Sequence, residues 1–167
     1  MNRLIIIIAA TLASTISFAQ EDLPRPGDVE TLDGIMAAYY EVVSHAAGEP
    51  LQSERDYSLH HPDARAIITG VDGEGKPFIL NQTLPEYHEA AAQGIDNAFF
   101  EWEIDREVQR FGNIAHVWST YAYSDKPDGE IQGRGINSIQ LYHDGERWWI
   151  TAWIFDSERF GNPIPTL

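Results

Sequence analysis

The sequence predicts an α+β domain in which helices come first and long antiparallel strands follow. Two observations predict this class. Apolar residues recur at three- and four-residue steps early in the chain, whereas four extended segments joined by short turns fill its second half. Helices followed by a run of strands is the pattern of α+β folds. The chain has 167 residues and no cysteine, so one domain of ordinary size must be held together by its core without disulfides.

Residues 1–19 have the parts of a secretory signal peptide in order. Arg3 supplies the positive start, residues 4–13 form an apolar run too short to span a bilayer, and Ser17-Phe18-Ala19 brings small residues to the cleavage site. We therefore expect cleavage after Ala19 and export to the periplasm or the medium; an uncleaved anchor helix is the alternative. Losing Arg3 changes the net charge from −15 to −16, and so acidic a surface disfavours nucleic acid and membrane as partners.

Residues 20–28 contain prolines and acids and are expected to form a flexible leader to a single domain over residues 29–160, with a tail over residues 161–167. The first helix is predicted to begin at Val29 with Asp28 as N-cap, to carry Tyr39 on its apolar face, and to end near Gly48. A helical turn over residues 55–59 follows. His60-His61-Pro62-Asp63 is interpreted as a turn that leads into the first strand.

Residues 64–71 and 77–82 flank a glycine-rich turn and are predicted to form a hairpin. A brief helix over residues 84–93 comes next, with Thr83 as its cap and Pro85 in its first turn. Four long strands complete the domain. They are predicted at residues 98–111, 114–124, 132–142 and 147–156.

Three of these segments have distinctive sequences: RFGNIAHVW at residues 110–118, RGINSIQL at residues 134–141 and DGERWWI at residues 144–150. With them the chain resembles the nuclear-transport-factor-2-like superfamily, which includes SnoaL-like and ketosteroid-isomerase-like proteins, and above all its exported bacterial members of unassigned activity. The resemblance covers residues 29–160 in element order. It implies a curved antiparallel sheet wrapped around N-terminal helices as a cone with an internal pocket, and a homodimer formed through the outer sheet face. It implies no reaction, because this fold hosts several enzyme classes and binding modules.

Strand alternation predicts which side chains face the pocket. A two-residue turn at Gly112-Asn113 pairs Arg106 with Ser119, and the more apolar face of that hairpin is assigned inward. Asn137 and Asp156 are assigned inward on the last hairpin. Three tryptophans are assigned to the outer, dimer-forming face: Trp118, Trp149 and Trp153. A single β-bulge would invert part of this assignment.

The inward polar groups form the candidate site. Asp156 paired with Arg106 could orient a water or accept a proton, and Tyr121 could donate to a developing oxyanion, so these three are the candidate catalytic residues. Epoxide hydrolases of the resembled fold use the same residue types, but their motif spacing is absent here and no second inward aspartate is evident. The alternative is a purely structural salt bridge. The candidate ligand-binding residues are Tyr39, Trp102, Ser119, Asn137 and His60.

No metal site and no cofactor is predicted. The His60-His61-Pro62-Asp63 segment, even with His88 and Glu89, has no known ligand spacing, and neither a nucleophilic triad nor a phosphate loop is present. The leading expectation is a protein that binds a small, largely apolar molecule in the pocket. The alternatives are a cofactor-independent hydrolase, isomerase or lyase, and a dimeric partner-binding module whose cavity is filled by its own side chains.

Overall fold

The structure is a computed structural model that describes residues 23–165. The predicted signal peptide and its cleavage site lie outside these residues. The helices are α1 (Pro26–Val29), α2 (Leu32–Val43), α3 (Ser53–Leu59) and α4 (Leu84–Ala92). The strands are β1 (His60–Val71), β2 (Pro77–Thr83), β3 (Phe100–Phe111), β4 (Ile114–Ser124), β5 (Gly133–His143) and β6 (Trp148–Ser157). No helix within residues 23–165 is long and apolar enough to cross a membrane.

The six strands form one curved sheet in the order β2-β1-β6-β5-β4-β3. Neighbouring strands run antiparallel except β1 and β6, which run parallel. The α+β class is therefore confirmed, whereas the expectation of a wholly antiparallel sheet is wrong at one pair. The reason is connectivity: a hairpin turn forces antiparallel pairing, but β6 returns to β1 only after α4 and four further strands.

Helix α2 begins later than predicted because Thr31, not Asp28, caps it: the Thr31 hydroxyl accepts a hydrogen bond from the Gly34 amide at 2.9 Å. Asp28 instead lies buried in α1 and accepts two hydrogen bonds from Arg55, at 2.8 and 2.9 Å. Residues 26–28, expected to be a flexible leader, are thus part of the folded domain. The helix also ends before Gly48, since His45 leaves it to form a bridge with Phe99.

Helix α4 forms where the sequence predicts it. A capping box fixes its start, in which the Glu86 carboxylate accepts a hydrogen bond from the Thr83 amide at 2.8 Å. The helix then packs Tyr87 against Trp153 of β6, with ring centroids 5.3 Å apart. It therefore covers the inner face of the sheet, together with α2.

Two β-bulges decide which side chains enter the interior. Near the β3–β4 turn the register is as predicted, with Arg106 opposite Ser119, but it shifts by one residue at Ile104, so that Glu103 lies opposite Tyr121. Beyond this bulge the glutamates face inward with Tyr121, and Trp102 turns to the opposite face. The inward assignment of Trp102 is therefore wrong.

The second bulge lies at Thr151, where Gln140 pairs with Ala152 but Leu141 pairs with Ile150. It reverses the predicted faces of the end of β6. Trp153 points into the core and is 2 % exposed, so its assignment to the outer face is wrong. Asp156 lies opposite Ile136 on the outer face, so its inward assignment is wrong as well.

Candidate functional site

The domain contains two neighbouring cavities that share Val43, Tyr87 and Phe99 as lining, the first among the helices and the segment before β3, the second between the helices and the inner sheet face. The first, about 280 Å³, reaches Asp56 and His88 and is called the His–Asp chamber. The second, about 310 Å³, reaches Glu101 and Asn137 and is called the aromatic chamber. Their volumes are near the lower end of those of small-molecule sites.

Asp56 of α3 lies between two imidazoles. His60 Nδ1 is 2.8 Å from the Asp56 backbone oxygen and 3.2 Å from its Oδ1, and His88 Nε2 is 2.9 Å from Asp56 Oδ2. Asp56 is only 3 % exposed. Burial by itself would raise the pKa of Asp56, but His60 and then His88 more than offset it and hold the pKa at about 2. The carboxylate is therefore charged at neutral pH and holds both rings.

These contacts determine where the imidazole protons lie. Carbonyl and carboxylate oxygens only accept, so His60 Nδ1 and His88 Nε2 carry the protons of the neutral rings. The second nitrogens, His60 Nε2 and His88 Nδ1, are buried and have no hydrogen-bond partner within residues 23–165, and His88 Nε2 meets Asp56 as an ion pair without the geometry of a hydrogen bond. His60 packs against Trp153 at 4.8 Å, whereas His88 lines the His–Asp chamber. His88 Nδ1 is thus the lone pair best placed to accept a proton, and an imidazole held by a carboxylate is a general-base arrangement.

The local sequence builds this cluster. Asp56 and His60 are four residues apart at the end of α3 and so lie on one face of the chain. On the other side of the same helix, Arg55 donates to Asp28, Glu41 and Gln52 and so ties α3 to α1 and α2. The contacts of Arg55 keep Asp56 turned toward the interior.

Glu101 is the acid of the aromatic chamber. Burial raises the pKa of Glu101 to about 8, although a hydrogen bond from Asn137 opposes the shift. None of the ion pairs within residues 23–165 includes Glu101. The sheet surrounds it with aromatic rings: Tyr121, Tyr123, Trp153 and Phe155. The carboxyl is therefore largely neutral at pH 7 and faces a cavity walled by aromatic side chains.

A chain of hydrogen bonds continues from this chamber under α2. Asn137 accepts from the Tyr39 hydroxyl at 3.5 Å and donates to the Tyr40 hydroxyl at 3.2 Å, and Tyr40 lies 2.6 Å from Ser119 Oγ. The predicted residues Tyr39, Ser119 and Asn137 thus lie inside, where strand and helix periodicity placed them. Their role in binding a ligand stays a prediction.

The predicted catalytic pair does not form. Arg106 pairs with Glu103 at 2.9 Å and with Asp33 at 3.1 Å beside α2, whereas Asp156 pairs with Arg159 at 2.5 Å on the outer face. The Thr151 bulge explains the separation, because it turns Asp156 away from the cone. Tyr121, in contrast, does line the aromatic chamber, and burial raises its pKa to about 12.

His60, a predicted ligand-binding residue, is buried, at 2 % exposed. The segment predicted as a turn continues directly into β1 and carries the ring under Trp153. His61 and Asp63 of the same segment point to solvent. Within residues 23–165, no group of three or more histidine, aspartate or glutamate side chains is arranged to hold a metal ion.

Three site residues were missed at the level of sequence: Asp56, His88 and Glu101. The four-residue spacing of Asp56 and His60 was a usable signal, because it brings two polar side chains to one face of a short helix. His88 adds the third group only through the packing of α4. Glu101 gave no signal, since its inward position depends on the bulge.

On the outer face, Trp118 is 44 % exposed. Trp149 donates its indole N–H to Asp144 at 2.7 Å and lies under the Arg147 guanidinium at 3.6 Å. These two tryptophans therefore lie on the face assigned to them, unlike Trp153.

No family model and no curated protein matches this sequence. Solved structures do match in fold. An NTF2-like protein of unknown function from Shewanella baltica is 15 % identical, with a TM-score of 0.51 over 75 % of this chain and 89 % of that chain. A Mycobacterium tuberculosis protein of unknown function is 16 % identical, with a TM-score of 0.59 over 81 % and 75 %. A hexachlorocyclohexane dehydrochlorinase, LinA type 2, is 10 % identical, with a TM-score of 0.51 over 74 % and 80 %. Identities this low show a shared fold alone.

Proposed function

We propose that this chain, which has the nuclear-transport-factor-2-like cone fold, binds a small, largely apolar molecule inside the cone and transfers a proton on it through His88. The observation that carries the proposal is the buried lone pair of His88 Nδ1 beside a cavity, with Asp56 on the other side of the ring. The reaction class is that of an isomerase or lyase. His88 takes a proton from carbon. In an isomerisation the electron pair shifts along the ligand and the imidazolium returns the proton to another carbon; in an elimination the electron pair expels a leaving group and the proton stays on His88.

The electrostatics support this role. A charged Asp56 stabilises the imidazolium that forms when His88 accepts a proton. The nitrogen is already shielded from water, so the base need not lose a solvation shell before it reacts. Among the structures that share the fold, one is named a hexachlorocyclohexane dehydrochlorinase. The cone fold thus accommodates, in that protein, an elimination from an apolar substrate.

The alternative of a cavity filled by its own side chains has less support, since two chambers of about 280 and 310 Å³ remain beside the helices. Hydrolysis also has less support than isomerisation or elimination. The Asp156–Arg106 pair on which it depended is split between the two faces of the sheet.

Export and dimerisation are part of the proposal. The signal-like segment over residues 1–19 supports export of a chain that begins at Gln20. Exposed apolar side chains on the outer sheet face support a homodimer, among them Trp118, Tyr142 and Ile154. Amino-terminal sequencing of the exported protein tests the first proposal. Light scattering of the wild type and of Trp118→Ala at micromolar concentration tests the second, and a monomeric wild type would contradict it.

Proton transfer is tested by hydrogen–deuterium exchange at carbon. The protein is incubated in D₂O with halogenated cyclohexanes and cyclic ketones, and deuterium uptake or product is followed by NMR. We expect His88→Gln to lower any exchange at least about 100-fold, in the range typical of a lost general base, and the exposed His61→Gln to leave it unchanged. Equal rates in the wild type and His88→Gln would show that His88 is not the base.

A further inference from the structure

The aromatic chamber combines an unpaired acid with rings on several sides. The bulge at Ile104 brings Glu101 into a cavity that no lysine or arginine of the described part of the chain, residues 23–165, lines. We propose that this chamber is a binding site for an organic ammonium ion, whose charge pairs with Glu101 and whose substituents lie against the surrounding rings. The inference rests on the proposed function, because it takes the interior of the cone as a ligand site, and it deepens it by naming the charge of the ligand.

The rings are arranged as the walls of a box. Trp153 meets Tyr39 at an interplanar angle of 77° and Tyr87 at 90°, and Phe155 meets Tyr121 at 84°. Because the rings of each pair are nearly perpendicular, the aromatic chamber is bordered by ring faces in several orientations. The face of an aromatic ring attracts cations, and boxes of this kind recognise alkylated ammonium groups.

Glu101 supplies the second half of the recognition. A carboxyl buried without a cationic partner is unfavourable in its charged form. An ammonium ligand provides this partner. The charged form of Glu101, which is unfavourable in the free protein, therefore becomes favourable in the complex. Asn137 donates a hydrogen bond to the same carboxyl and fixes its position.

The charge of the interior selects against anions. Asp56 and Glu101 both act electrostatically on Tyr39 and Tyr87. No lysine or arginine among residues 23–165 lines either chamber. The protein as a whole carries a net charge of −15, which raises the local concentration of cations around it.

The size of the chamber limits the ligand. A cavity of roughly 150 Å³ is enough to bind benzene, and the aromatic chamber measures about 310 Å³. A trimethylammonium group on one aromatic ring therefore fits its volume. Phenyltrimethylammonium is a suitable probe, because its charge does not change with pH, and tert-butylbenzene is its neutral counterpart of the same shape.

Binding of a cation is coupled to release of a proton. The groups that face Glu101 are the phenols of Tyr39 and Tyr40 from α2, Tyr87 from α4, and Tyr121 and Tyr123 from β4. Burial raises the pKa of the first four phenols, so these four stay neutral through pH 9. The pKa of Glu101 is about 8, so a cation that requires its charged form binds about tenfold tighter at pH 9 than at pH 7. A neutral ligand that accepts a hydrogen bond from the protonated acid shows the opposite trend.

The experiment is calorimetric titration of the chain from Gln20 onward with both probes at pH 7 and pH 9. We expect phenyltrimethylammonium to bind, to release close to one proton at pH 7, and to bind more tightly at pH 9. Glu101→Gln keeps the shape of the protonated acid and so is expected to fold; it should weaken binding at pH 9 at least tenfold and abolish the pH dependence. Glu107→Gln, an exposed change on the same strand, should alter neither the affinity for phenyltrimethylammonium nor its pH dependence.

The outcomes separate the two proposals. If tert-butylbenzene binds and phenyltrimethylammonium does not, the cavity is still a ligand site but the ammonium inference is overturned. Binding of the cation with the same affinity in Glu101→Gln also overturns it. Failure of both probes to bind counts against the ammonium inference and against the cavity as a ligand site.

Discussion

Replacing Glu101 by glutamine should stabilise the protein in alkaline solution and leave it nearly unchanged in acid. Burial raises the pKa of Glu101 from 4.5 to about 8. Between these values the folded protein holds a proton that the unfolded chain has released, so the free energy of unfolding falls as the pH rises. At about 1.4 kcal/mol per pH unit the loss is at most about 5 kcal/mol. Partial solvent access to Glu101 reduces it to about 2–4 kcal/mol.

The amide of Glu101→Gln has no proton to lose, so the variant escapes this loss. Urea unfolding of both proteins at pH 5 and pH 9 measures it: the two free energies should agree within about 1 kcal/mol at pH 5, and the variant should be more stable by about 2–4 kcal/mol at pH 9. For Glu107→Gln, on the exposed side of β3, the difference from the wild type in free energy of unfolding should be the same at pH 5 and pH 9. If the advantage of Glu101→Gln does not change between pH 5 and pH 9, the carboxyl does not titrate as the structure indicates.

Three further predictions concern the supports of the site. Asp56→Asn should destabilise the fold by about 2–4 kcal/mol at pH 7, because two buried imidazoles lose their charged partner. The pKa of Asp56 is lowered to about 2, so the wild type should lose this stability as the pH falls from about 4 to 2, whereas the variant should not. Urea unfolding across this pH range measures the difference. Arg55→Gln should cost about 3–5 kcal/mol, because it leaves buried Asp28 without its cation, and a urea midpoint unchanged from the wild type would contradict that role. Thr83→Ala should cost only about 1 kcal/mol through the capping box with Glu86, as measured by thermal melting; a loss several times larger would mean that α4 is held mainly by its cap.

The element order could be predicted from the sequence because it depends on local chemistry. Helix α4 follows from Thr83, Pro85 and Glu86, whose capping interactions involve neighbours in the chain. The β3–β4 hairpin follows from a two-residue turn at Gly112-Asn113, and its register holds as far as Asp105. The parallel pairing of β1 with β6 could not be predicted in the same way, since no turn connects the two strands.

The buried cluster around Asp56 shows a different limit. Its spacing to His60 is visible in the sequence, but the third member, His88, comes from a helix 32 residues beyond Asp56. The sequence alone favoured a surface turn for His60, because proline and aspartate follow it. Packing against Trp153 decided otherwise, and Trp153 itself was assigned to the wrong face.

The two bulges explain why the elements could be predicted and the site could not. Alternation assigns side chains correctly until one extra residue enters a strand, and every position beyond it then changes face. At Ile104 this exchange brings Glu101 into the cone, and at Thr151 it turns Asp156 out of it. Glu101, turned inward, is surrounded by aromatic rings, whereas Asp156, turned outward, is paired with Arg159. The chemistry of the cone interior therefore depends on where its strands are bulged, a property that single residues in the sequence do not reveal.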